Sequence, residues 1–158
     1  MTPRTPPDAS RPTAGDRDDD PFARIDPFVA LADSRRQLVD AIREIEDGAL
    51  RAQRPDLAET LGIVAAHDRA LCDVALAYAR GERDFDGVVA PRDRVTHDTT
   101  MEVAIEVRVA LFDALASIGD ALDESLTTAW GGAGTWRMHI VEIAMHEGAR
   151  AHDLIDAS

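Results

Sequence analysis

Residues 134–155 read GTWRMHIVEIAMHEGARAHDLI. Wound at 3.6 residues per turn, this stretch places Ile140, Ile143, Ala144, Ala151, Leu154 and Ile155 on an inward face, with Thr135 in position to cap the first turn. The pattern is that of an amphipathic helix of roughly 20 residues. Immediately before it, Trp130-Gly131-Gly132-Ala133-Gly134 interrupts any regular period and reads as a hinge leading into the cap. No stretch of the chain alternates apolar and polar residues convincingly enough to be a β-strand.

Working outward, three more segments carry the same helical period. Asp26-Pro27 supplies a cap and a first-turn proline, after which Phe28, Leu31, Leu38, Ile42 and Ile45 recur up to Gly48. Asp56 with Glu59 resembles a capping box ahead of Leu57, Leu61, Val64, Leu71, Val74 and Tyr78, and Gly81 stops that helix. Thr99 with Glu102 marks a third start, with Val103, Val107, Leu111, Ala114, Leu115 and Ile118 carrying the helix to about Leu122. Residues 82–97 have no period and form one long connection. The expectation is an all-α four-helix bundle of up-down-down-up order with one long crossover. It occupies residues 26–158, behind an acidic tail at residues 1–25 that holds five of the eight prolines and four Asp between Asp16 and Asp20, and that reads as disordered.

The formal net charge is −13, with an isoelectric point near 4.6. Nucleic-acid recognition needs clustered cations, so no nucleic-acid partner is expected. No apolar run approaches the roughly 20 residues of a membrane span, so no membrane partner is expected either. A single Cys72 cannot form an internal disulfide, and the N-terminus lacks a signal-peptide pattern; both point to the cytoplasm.

Three of the five histidines lie between His139 and His152. His is the commonest metal ligand and titrates near neutral pH, so such clustering raises metal or acid/base chemistry. His67 interrupts the apolar stripe of the second helix and should point at the interior or its mouth. On the last helix, His146 and Glu147 flank the core-facing seam, and Arg150 stands one turn beyond His146, where a ligating His-x-x-x-His pair would need imidazole. His67 and His146 are the candidate metal ligands, with Glu147, His139, Glu102 or Glu106 to complete a shell. The bland alternatives are a hydrogen-bonded core histidine and a structural ion pair. His97 and His152 lie on polar faces and read as solvated.

The segments LGIVAAHDRAL (Leu61–Leu71) and GGAGTWRMHIVEIAMHEGARAHDLI (Gly131–Ile155) resemble the second helix, and the turn with last helix, of the DinB-like superfamily, which includes mycothiol-dependent maleylpyruvate isomerases. The resemblance spans roughly residues 30–156. It implies a four-helix bundle, frequent homodimers, and Zn²⁺ or Ni²⁺ held by three His. Those ligand positions fall on Ile63, His146 and Arg150, so two of the three are changed, and a guanidinium cannot coordinate a metal. The residues leave three functional readings. In one, an anionic small molecule binds a bundle whose metal site is degenerate or absent, through Arg150 and Trp136, with His67 and His146 as hydrogen-bond or acid/base groups. In the second, His67 and His146 hold a metal with Glu147 as catalytic carboxylate, for thiol transfer, isomerisation or hydrolysis. The third is a non-enzymatic, dimer-forming bundle.

Overall fold

Asp26 fixes where the first helix begins: its Oδ1 accepts the backbone N–H of Phe28 at 2.9 Å and of Val29 at 3.3 Å. Pro27 has no N–H to satisfy at the first helical position, and α1 runs Pro27–Asp47. These elements come from a computed structural model that describes residues 22–47 and 55–156. Most of the expected tail, residues 1–21, and the first connection, residues 48–54, lie outside the described residues. Residues 22–25 form a turn whose Ile25 carbonyl accepts from Arg137 Nη1 at 2.8 Å.

The second helix, α2, spans Pro55–Ala79. It begins one residue ahead of the expected cap, so Asp56 sits in its first turn. Its end is the expected glycine: Gly81 has φ +90°, its N–H donates to Tyr78, and the Glu82 N–H reaches back to Ala77. That pair of bonds satisfies two terminal carbonyls, and the left-handed residue between them is inexpensive only for glycine. The crossover beyond it is pinned rather than loose. Phe85 is buried and stacks on Tyr78 at 6.5 Å, and Pro91–Asp93 form a single 3₁₀ turn.

The third helix, α3, covers Met101–Ala116 and differs from expectation at both ends. Thr100, not Thr99, is the cap, accepting the Val103 N–H at 3.2 Å; Thr99 is buried, with its hydroxyl 2.7 Å from that of Thr96. The helix stops six residues short of Leu122, and the chain turns through Gly119 at φ +61° into a 3₁₀ turn at Ala121–Asp123.

Between that turn and the last helix the chain forms two short strands, contrary to the expectation of none. β1 (Ser125–Thr128) and β2 (Gly132–Thr135) pair antiparallel, with Ser125 opposite Thr135 and Thr128 opposite Gly132. The glycine-rich stretch expected as a hinge is therefore the turn and second strand of a hairpin. Only Leu126 and Thr128 turn inward from β1, too short an alternation to stand out in a sequence. Thr135 then caps α4 (Trp136–Asp156) as expected, accepting the Met138 N–H at 3.1 Å.

The described residues are thus mostly helical, with four long helices and one small hairpin. α1 packs extensively along α4, and α2 along α3, whereas α2 and α4 meet over only a short stretch. The apolar core falls into two clusters. One gathers Leu31, Leu71, Val74, Leu111, Leu115, Trp136 and Ile140; the other gathers Leu38, Ile42, Leu61, Val64, Ala104, Ala151 and Leu154. On every helix the two clusters are separated by one turn, and that turn carries charge. Among the described residues, no helix is long and apolar enough to cross a membrane.

Candidate functional site

Each helix contributes one ionisable side chain to the layer between the two clusters: Arg35 from α1, Asp68 from α2, Arg108 from α3 and Glu147 from α4. None is more than 8% exposed. Arg108 binds Asp68 in bidentate fashion, Nε to Oδ2 at 2.9 Å and Nη2 to Oδ1 at 3.1 Å, and its Nη2 also donates to Glu147 Oε2. Arg35 bridges the same two acids, donating Nη2 to Asp68 Oδ2 at 2.9 Å and Nε to Glu147 Oε1. The remaining guanidinium donors reach carbonyls, Arg35 Nη1 that of Ala104 and Arg108 Nη1 that of Leu31, each at 2.7 Å. The Ser34 hydroxyl lies 3.2 Å from Glu147 Oε2.

Two cations and two anions make the layer neutral, and its charges satisfy one another, which is what allows them to be buried. Burial pushes the Asp68 carboxyl up, while Arg108 and Arg35 pull it back. Burial also works to lower Arg108, but the Asp68 and Glu147 carboxylates outweigh it and hold the guanidinium above its ordinary value. The geometry favours the fully ionised layer. A proton on Asp68 would turn a donor toward guanidinium donors and leave a net positive charge in the core.

This layer reassigns one expected site residue and exposes four that the sequence pattern did not single out. Glu147, expected as the catalytic carboxylate, has both oxygens committed to Arg35, Arg108 and Ser34, so it is not free to act as a base. Ser34, Arg35, Asp68 and Arg108 carried a legible signal: each falls where an apolar stripe, such as Leu31–Leu38 on α1 or Val64–Leu71 on α2, skips a turn.

The light contact between α2 and α4 leaves a cavity of about 160 Å³. Ile63, Val64 and His67 line it from α2; Ile143, His146, Glu147 and Arg150 line it from α4. His67, half-buried, sits at the mouth as expected. Its Nδ1 lies 2.9 Å from the Ile63 carbonyl, which can only accept, so Nδ1 carries the hydrogen and Nε2 is left for the cavity. Arg150 has no ion pair or hydrogen bond among the described residues, although the chain is strongly acidic. A free guanidinium beside two imidazoles and three aliphatic side chains suits an anion with an apolar body.

A smaller cavity of about 110 Å³ adjoins it and shares His67, Ile143 and His146. Its other walls are Leu71, His139, Glu142 and the hairpin residues Thr128, Trp130 and Gly131. His139 is buried, with Nε2 3.5 Å from the Leu126 carbonyl. Trp136, expected to touch substrate, is instead fully buried and meets Tyr78 edge-on at 5.3 Å. The Trp that faces the groove is Trp130. His97 and His152 are exposed, as expected.

Zn²⁺ or Ni²⁺ at His67 and His146 needs at least a third ligand. Glu147 is committed to the guanidiniums, Arg150 occupies the turn where the resemblance puts a ligand, and the exposed Glu102 and Glu106 line neither cavity. Among the described residues, no group of three His, Cys, Asp or Glu side chains is arranged to hold a metal ion. The residues present do not fit a three-ligand centre. Compared with protein-family models, curated proteins and solved structures, the chain matches none.

Proposed function

We propose that this protein binds a small anionic organic molecule in the α2/α4 groove, without a three-ligand metal centre. The reading rests on one observation: Arg150, which has no ion pair or hydrogen bond among the described residues, stands on the wall of a cavity lined besides by His67, His146, aliphatic side chains and the already committed Glu147. Such a guanidinium is the natural partner of a carboxylate or phosphate. A dry cavity of roughly 150 Å³ takes a benzene-sized molecule, so the cavity's volume suits a compact carboxylic acid. Within this reading, Arg150 pairs with the anion, His67 Nε2 and His146 add hydrogen bonds, and Ile63, Val64 and Ile143 cover the apolar body. Glu147 acts indirectly by holding α4 against the other three helices. The resemblance to the DinB-like superfamily supports an accompanying proposal of a four-helix bundle that assembles as a homodimer, which light scattering on the full chain would check.

Titration calorimetry with benzoate and its neutral isostere benzamide tests the function. Benzoate should bind with an affinity that falls as salt is added, benzamide should bind far more weakly, and Arg150→Ala should remove the difference. Carboxylate binding that is absent, or indifferent to Arg150→Ala, overturns the reading.

A further inference from the structure

The two cavities share His67, Ile143 and His146, so they form one groove along α4. Its ends are opposite in charge. Arg150 closes one end; Glu142, half-buried, closes the other. Like Arg150, Glu142 makes no hydrogen bond or ion pair among the described residues. The two are eight residues apart on one helix, about 12 Å along its axis at 1.5 Å per residue, too far for them to neutralise each other directly. Trp130 stands at the Glu142 end, and an indole face attracts an organic cation. Between the ends, Leu71, Ile143, Ile63 and Val64 offer hydrocarbon.

We infer that the ligand is an elongated dipolar molecule of the ω-amino carboxylic acid class, its carboxylate at Arg150 and its ammonium between Glu142 and the Trp130 ring. This rests on the carboxylate reading above and adds to it the second charge, the length and the orientation. An acid without an amine would leave Glu142 unpaired at the groove wall and the smaller cavity unfilled.

The test compares ε-aminocaproate with caproate on the full chain by calorimetry at low salt, in the native protein, Glu142→Gln and Arg150→Ala. ε-Aminocaproate should bind about tenfold more tightly than caproate, the scale of one partly desolvated ion pair and a cation–π contact. Glu142→Gln should cut that ratio to about threefold or less, what is left being the Trp130 contact, and Arg150→Ala should weaken both ligands. Equal binding of the two acids, still dependent on Arg150, overturns the dipolar inference and leaves the carboxylate reading standing. A preference undiminished in Glu142→Gln also overturns it. If neither acid binds, both proposals fall.

Discussion

Removing the Asp68 carboxylate should be among the most destabilising single changes this chain can suffer. Asp68 is fully buried and accepts three guanidinium N–H bonds, from Arg35 at 2.9 Å and from Arg108 at 2.9 and 3.1 Å. In Asp68→Ala, two buried cations face only the Glu147 carboxylate, leaving one uncompensated positive charge between two apolar clusters. Breaking a buried pair in this way costs about 3–5 kcal/mol, against a total stability of about 5–15 kcal/mol for a domain. With a urea slope of about 2 kcal/mol/M, the midpoint should fall by about 2 M. The measurement is urea unfolding monitored by far-ultraviolet circular dichroism. Two controls isolate the cause. Glu82→Ala, which breaks the exposed Arg80–Glu82 pair, should cost under about 1 kcal/mol. The double variant Asp68→Leu/Arg108→Met restores neutrality and should recover more than half of the loss, because a well-packed apolar replacement of a buried ion pair is often neutral or stabilising. A midpoint shift under about 0.5 M for Asp68→Ala, or no recovery in the double variant, would refute the reasoning.

Local geometry sets three further outcomes. Gly62→Ala should gain about 1 kcal/mol of helix propensity but lose more, since a Cβ there would run into the backbone carbonyl of Thr96 on the crossover, an overpacking worth about 1–3 kcal/mol; a raised melting temperature would show that the crossover does not seat on α2. Burial raises the Cys72 thiol pKa, with Asp73 and Asp68 adding to the shift and Arg94 opposing it, so the thiolate fraction at pH 8 is reduced. Alkylation by iodoacetamide should be slower than in the urea-unfolded chain and keep accelerating above about pH 9, whereas a rate that levels off below that pH contradicts the burial. Dialysis against Zn²⁺ or Ni²⁺ and then elemental analysis should leave well under one metal per chain, unchanged in His146→Ala; one tightly held ion lost in that variant would restore the metal reading.

The parts of this protein that could be read from sequence are those with local causes. Asp26-Pro27, Gly81 and Thr135 mark helix ends because each satisfies or terminates backbone hydrogen bonds within a few residues of itself. The period of Leu31, Leu38, Ile42 and Ile45 announces α1 for the same reason. Thr99 and Thr100 both offer a capping hydroxyl, and the choice between them turned on a tertiary detail, the burial of Thr99 beside Thr96. The hairpin has no local signature, because strands of four residues, one of them Gly-Ala-Gly-Thr, are too short to show a period. Trp136 is buried while Trp130 faces the groove, a distinction absent from the sequence because burial of an indole depends on what the hairpin folds against. Within the site, His67 and Arg150 stand half-buried on the cavity wall, whereas His146, expected beside the core-facing seam, is exposed at its rim.

Sequence alone determined the mostly helical character of the chain, most of its helix ends and the face each helix buries, because hydrogen-bond satisfaction and apolar periodicity act over a few residues. It also contained the four interruptions at Arg35, Asp68, Arg108 and Glu147, but not their meaning. A charged residue on a helix is solvated unless opposite charges arrive from other helices, and those partners lie 33 to 112 residues away along the chain. Only the tertiary structure decided that they meet, that Glu147 is thereby committed to the core, and that Arg150 and Glu142 have no partner among the described residues at opposite ends of a groove. Pairing over such separations depends on how the helices pack, and no local pattern encodes it.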